Sequence, residues 1–237
     1  MLTGGSFILA SCNDFLDREP LDSVTPDNFF FTENDLAAYA VKHYNFTTHE
    51  GFNAGIWKND NATDNQAATD YDKKWIPGQW KVPEAYDNPA SNDPWYFSTI
   101  REANYFLETV VPRFEKGEIE GSETNIKHYI GEMYFLRAKN YLSKLETFGD
   151  FPIIKNTLPD ESESLIQASK RAPRYKVAHF ILEDLDQAIS LLTNNISGGK
   201  NRITKNAALL LKSRAALFEA SWLTYHKGTA LVPGGPG

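Results

Sequence analysis

The sequence predicts a mainly α protein in which helix pairs are joined by long irregular loops. Three observations carry this. Five segments place apolar residues at steps of three and four, the period of a helix with one buried face. Alternating apolar and polar runs, the mark of half-buried strands, are scarce throughout. Between Thr47 and Asn92 neither period holds, and Asn, Asp, Gly and Pro dominate together with aromatic residues.

Thr32 is placed to cap the first helix, with Glu33 and Asp35 in the first turn where carboxylates meet the positive end of the helix dipole. Leu36, Tyr39, Ala40 and His43 share its inner face, which runs to about Tyr44. Helical order returns at Asp93-Pro94, an N-cap residue followed by proline at the first helical position. Tyr96, Ile100, Ala103, Leu107 and Val110 form the next stripe, and Pro112 is expected to end it. The longest periodic segment, about Thr124 to Thr147, carries Ile126, Ile130, Met133, Arg137, Tyr141 and Leu145. Gly149 to Ile154 then reads as a stop followed by extended chain. Pro173 precedes a helix with Val177, Ile181, Leu185, Ala188 and Leu192 on one side. After a turn at Ser197–Asn201, Thr204 caps a last helix, about Lys205 to Tyr225, with Leu210, Leu211, Leu217, Phe218 and Trp222.

These segments form two pairs, Asp93–Glu115 with Thr124–Thr147 and Ala178–Leu192 with Lys205–Tyr225. Each is of tetratricopeptide-like type, although no strict repeat consensus recurs. The closing Leu231–Gly237 is loop sequence with no capping element behind it, and the last helix is apolar on much of its surface. A helical array needs a polar cap on its final unit, so the expectation is a truncated array.

The composition excludes several classes. The formal charge is −7 in 237 residues, so there is no basic field to hold a phosphate backbone and nucleic acid is not an expected partner. A single cysteine rules out an intrachain disulfide framework and a thiolate-rich zinc site. No G-x-S-x-G, H-E-x-x-H or P-loop occurs, and Gly198-Gly199-Lys200 lacks the P-loop spacing. The five histidines are scattered and read as packing or surface residues. Glu132 and Arg137 read as hydrogen-bonding groups between helices, and no cofactor is expected.

At the N-terminus, Phe7–Ala10 is apolar but far shorter than the ~20 residues a spanning helix needs. It looks like the end of a secretory signal, and Leu9-Ala10-Ser11-Cys12 looks like a bacterial lipobox. Cys12 is accordingly the expected lipidation site, residues 1–12 being the partial signal. Several acyl chains on such a residue anchor a protein durably, where one chain binds only marginally.

Several strings, in order, resemble the SusD/RagB-like lipoprotein family. Cys12–Asp17, Pro20 and Thr25–Phe30 resemble its mature start. Gly131–Ala138 followed by Gly149–Pro152 resembles its most recognisable helix and turn. Arg171–Arg174 leading to Glu183–Leu185, and Gly199–Ala208 leading to Lys212–Ala215, are similar to its later elements. The resemblance makes residues 13–237 an N-terminal region of such a protein, with 13–92 the first helix and aromatic loop and 93–237 the helix pairs. It implies a lipid-anchored protein on the outer face of the outer membrane. That protein would bind a glycan or other nutrient and pass it to a SusC-like TonB-dependent transporter. It also implies a SusD-like α-helical scaffold with ligand loops on one face, in a chain of about twice this length.

Four of the five tryptophans, Trp57, Trp75, Trp80 and Trp95, fall between Gly51 and Phe97 among Asn and Asp residues. Sugar C–H faces stack on aromatic rings, and sugar hydroxyls pair with amides and carboxylates. Trp75 and Trp80, on either side of Pro77-Gly78, are the expected platforms, with Asp64, Asn65 and Tyr71 as further glycan contacts. The alternative is that these rings pack the loop onto the helices. A calcium loop beginning at Asp60 fails, because Ala62 takes a ligand position, Asn65 stands where glycine is needed and Tyr71 where a bidentate Glu belongs. A binding protein is therefore the expectation, with an α-helical glycoside hydrolase or a glycan-independent protein–protein adaptor as alternatives.

Overall fold

The computed structural model describes residues 29–44, 46, 62–63, 66–67, 76–77, 95–196 and 201–232. Their elements in chain order are α1 (Glu33–Lys42), β1 (Ala62–Thr63), β2 (Gln66–Ala67), α2 (Ser98–Lys116), α3 (Glu123–Phe148), α4 (Ser162–Ala168), α5 (Arg174–Leu191) and α6 (Lys205–His226). The two strands are a two-residue antiparallel ladder, Ala62 opposite Ala67 and Thr63 opposite Gln66. The fold is mainly helical, as the periodicities require.

α3 is the central helix. It packs on α2 and α1, on α5 most extensively, and more lightly on α6. All six apolar and polar positions of its expected stripe are buried, and so are Tyr129, Gly131, Phe135, Ala138 and Leu142. A helix with neighbours on several sides is apolar around most of its girth, which is why a single stripe understates its burial. Gly131 sits where α3 meets the end of α5: a Cβ there would lie 3.0 Å from Leu192 Cγ and 3.1 Å from Leu191 Cβ. The glycine trades helix propensity for that close approach.

α1 begins as its sequence dictates. Thr32 Oγ1 accepts from Asp35 N at 3.3 Å, and Asp35 Oδ2 accepts from Thr32 N at 3.0 Å, closing a capping box. Just before it, Phe30 adopts a left-handed φ of 70° and is fully buried. Its ring meets Phe29, Tyr39 and Phe106 edge-on at 5.0 to 5.3 Å, contacts that offset the backbone strain.

Two boundaries and one element differ from expectation. α2 begins at Ser98, not at Asp93-Pro94, which lie outside the described residues; Trp95, Tyr96 and Phe97 precede the helix. Trp95 and Phe97 stack on Phe151 at 5.7 and 5.1 Å, so tertiary packing, not a local cap, sets the helix start. α2 also runs through Pro112 to Lys116. Proline forfeits one intrahelical bond there, and Arg113 recovers a contact by donating from Nη1 to Phe29 O at 2.8 Å. The helix stops instead at Gly117, φ 71°, with Gly117 N bonded to Phe114 O and Glu118 N to Arg113 O, a Schellman closure. Finally, α4 lies in a stretch with no helical signal, and none of its residues is buried.

α6 caps as expected, Thr204 Oγ1 accepting from Ala207 N. Its inner face is narrow: only Ala208, Ala215 and Glu219 are buried, while Leu210 and Leu217 are 73% and 68% exposed. No described helix is long and apolar enough to cross a membrane.

Candidate functional site

Cys12, Asp64, Asn65, Tyr71, Trp75 and Trp80 lie outside the described residues, as does Trp57. Of the four tryptophans before residue 97, Trp95 is the one described. Trp95 leads into α2 at the wall of a cleft of about 370 Å³. Trp95, Phe97, Ile100, Arg101 and Asn104 form one side of this cleft; Pro152, Ile154, Asn156 and Leu158 form the base; Leu165 and Ser169 of α4 and its exit close the other side. Its volume falls in the range of small-molecule pockets, which are mostly apolar with a few polar groups.

The aromatic wall is a stack. Trp95 lies 4.1 Å from Phe148 between ring centroids, and Phe148 lies 5.4 Å from fully buried Phe151. The Arg171 guanidinium sits 4.8 Å from the Trp95 ring centroid, a cation–π contact. Phe151 is held in place by paired backbone bonds with Ala172. Trp95 is thus immobilised by its neighbours, and part of its ring surface is already occupied.

Beneath the base lies a buried polar network. Arg137 donates from Nε and Nη2 to the two carboxylate oxygens of Asp184, both at 2.7 Å. Its Nη1 donates to Asn104 Oδ1 at 2.8 Å and to Lys155 O at 3.3 Å. Asn104 Nδ2 in turn donates to Ile154 O and Asn156 O. Tyr141 completes the clamp: its hydroxyl accepts from Ile154 N at 2.8 Å and donates to Ile154 O. Burial pushes the Asp184 carboxyl up, opposed by the Arg137 hydrogen bonds, and pushes the Tyr141 phenol up to about 12. Helices α2, α3 and α5 together therefore dictate the path of the extended segment 151–158 that forms the base.

A second network ties α3 to the approach to α6. Glu132 Oε1 accepts from Arg202 Nε at 2.8 Å, and Arg202 Nη2 also bonds Glu132 Oε2. His128 Nδ1 accepts from Thr193 N at 3.2 Å, which leaves Nε2 to donate to Glu132 Oε1 at 3.1 Å. Glu132 and Arg137 are thus engaged between elements of the scaffold. Among the described residues, no three His, Cys, Asp or Glu side chains group as metal ligands would.

The concentration of tryptophan before residue 97 signalled the Trp95 wall. Phe97, Arg101, Asn156 and Leu165 carried no such signal, because they come together only when α2, the 151–158 segment and α4 are packed.

The helix pairs define a mainly α scaffold protein, with residues 95–97 and the 151–158 segment meeting at one cleft. Residues 14–217 match the SusD-like family described as "Starch-binding associating with outer membrane". The chain belongs to that SusD-like family. It is 25% identical over 186 residues to SusD-like protein P2, and 27% identical over 191 residues to SusD-like protein P38, both of Formosa agariphila. These stretches cover 76% and 78% of this chain but only 35% of each relative. A crystal structure of a SusD-like protein of Bacteroides fragilis superposes with a TM-score of 0.63 at 26% identity, over 86% of this chain and 38% of that one. A SusD-like carbohydrate binding protein of the same species shares the fold at a TM-score of 0.55 and 16% identity.

Proposed function

We propose that this chain is the N-terminal part of a nutrient receptor of the outer membrane that binds an oligosaccharide without cleaving it. The single observation that carries the reading is the family match over residues 14–217, a family described as starch-binding and associated with the outer membrane. Lipidation at Cys12 would anchor the protein with its ligand face outward. The bound glycan would pass to a SusC-like TonB-dependent transporter. Trp75 and Trp80 serve as stacking platforms in this proposal, with Asp64, Asn65 and Tyr71 pairing to sugar hydroxyls. The α2–α3 and α5–α6 pairs supply the rigid frame on which such contacts must sit.

The test is affinity electrophoresis and calorimetry of a soluble form starting after Cys12, against a panel of neutral polysaccharides. Retention by one polysaccharide, lost in the Trp75→Ala, Trp80→Ala double variant and accompanied by no new reducing ends, is the expected result. Release of reducing ends would instead make the protein a hydrolase. Folded protein that retains nothing, when a longer form of it retains a glycan, would place the ligand contacts beyond this part.

A further inference from the structure

The cleft beside Trp95 has a chemistry that a sugar does not match. Its surface is supplied chiefly by Trp95, Phe97, Ile100, Ile154 and Leu165. Few polar side chains line it, and two of them are already engaged. Asn104 uses its oxygen on Arg137 and its amide on Ile154 O and Asn156 O, and Ser169 Oγ donates to Ile166 O at 2.7 Å. A ring bearing hydroxyls on every side would leave most of them facing this apolar lining without partners, at a cost of about 1–3 kcal/mol for each orphaned group.

The charge at the cleft is equally specific. Arg101 lines it, and among the described residues its guanidinium makes no hydrogen bond or ion pair. Arg171, over the Trp95 ring, likewise has no carboxylate partner among the described residues. Two arginines without an ion-pair partner among the described residues thus stand beside one apolar cavity, Arg101 in its lining and Arg171 over the Trp95 ring. Guanidinium also presents a planar fork that matches a carboxylate in two-point geometry.

We propose that this cleft is a binding site for an apolar organic acid, a flat aryl body carrying a carboxylate. The aryl body lies against Trp95 and Phe97 with Leu165 over it, and the carboxylate reaches Arg101 at the mouth. Affinity comes from buried apolar area, and orientation comes from the charge-assisted hydrogen bonds. The site goes beyond the oligosaccharide reading and stands without it, since the residues proposed for sugar contact are different.

The test uses 2-naphthoate as the probe, with uncharged 2-naphthylmethanol and maltohexaose as comparison ligands, by calorimetry and saturation-transfer NMR on the chain that starts after Cys12. Naphthoate is expected to bind at least tenfold more tightly than the alcohol, and maltohexaose is not expected to displace it. Arg101→Gln should weaken naphthoate at least tenfold and leave the alcohol unchanged. Leu165→Trp, on a helix with no buried residue, should fill the cleft and weaken both naphthyl ligands. Circular dichroism identical to the parent confirms that each variant is folded. No naphthoate binding, equal binding of acid and alcohol, or binding indifferent to both variants would overturn the proposal. Loss of polysaccharide retention with naphthoate binding intact would count against the sugar reading alone.

Discussion

The Arg137–Asp184 pair offers the sharpest test of how this scaffold holds the cleft. Replacing Arg137 with Met keeps much of the stem's volume but deletes four hydrogen bonds, two to Asp184, one to Asn104 Oδ1 and one to Lys155 O. Asp184, only 3% exposed, is then left as a buried carboxylate without its counter-charge. Breaking one partner of a buried pair costs about 3–5 kcal/mol, most of it the desolvation of the orphan. For a chain of this size each kcal/mol moves the melting temperature by roughly 2–4 °C. Arg137→Met should therefore melt on the order of 10 °C below the parent. Asp184→Leu alone strands the guanidinium and should cost a similar amount, whereas the double variant has no buried charge left to strand. It should recover about 2–3 kcal/mol relative to the sum of the singles. Urea unfolding followed by far-ultraviolet circular dichroism measures all four corners of the cycle, and the near-ultraviolet signal follows the Trp95–Phe151 stack. A single-variant cost below about 1 kcal/mol, or strict additivity in the double variant, would refute the claim that this network is a coupled unit.

Three further outcomes follow from the same packing. Tyr141 is fully buried and its phenol is pushed from about 10 up to about 12, so the folded state keeps its proton after the unfolded chain has lost it. Its contribution is intact below pH 10 and is lost as pH rises from 10 toward 12, on the order of 2–3 kcal/mol in total; Tyr141→Phe should flatten that part of the alkaline unfolding profile while lowering neutral stability by about 1–3 kcal/mol for the stranded Ile154 N–H, the carbonyl keeping its bond from Asn104. Gly131→Val puts branched carbon where Leu191 and Leu192 already lie within 3.0 to 3.1 Å of a Cβ, and should destabilise by about 1–3 kcal/mol, seen as a lower urea midpoint. Thr32→Ala removes the capping acceptor of α1 and should cost about 1 kcal/mol, with faster amide exchange at Asp35 as the local signature.

Helix existence was legible wherever a single face is buried. Val177, Ile181, Leu185 and Ala188 of α5, and Leu36, Tyr39 and Ala40 of α1, are buried at the spacings read from the chain. Thr32 and Thr204 cap the helices they were expected to cap, because capping is a contact between residues two or three apart. The failures have the opposite character. Asp93-Pro94 is a sound local start signal, yet Trp95 and Phe97 are drawn onto Phe151, more than fifty residues away in the chain, and the helix begins later. Pro112 is a sound local stop signal, yet the packing of α2 carries the helix on to the left-handed Gly117.

The site divides along the same line. Sequence alone determined the helical class, the helix pairing, the family membership and the clustering of tryptophan before residue 97, because each is a pattern of residue types at short or ordered spacing. Only the tertiary structure decided that Arg137 serves Asp184 and Asn104, and that Arg101 and Leu165 face one cavity. It alone decided that the hydrogen-bonding groups of Asn104 are spent inside the scaffold. Such groupings depend on which side chains meet across α2, the 151–158 segment and α4. Burial and the pairing of charge are set by those meetings, and nothing in the local order of residues encodes them.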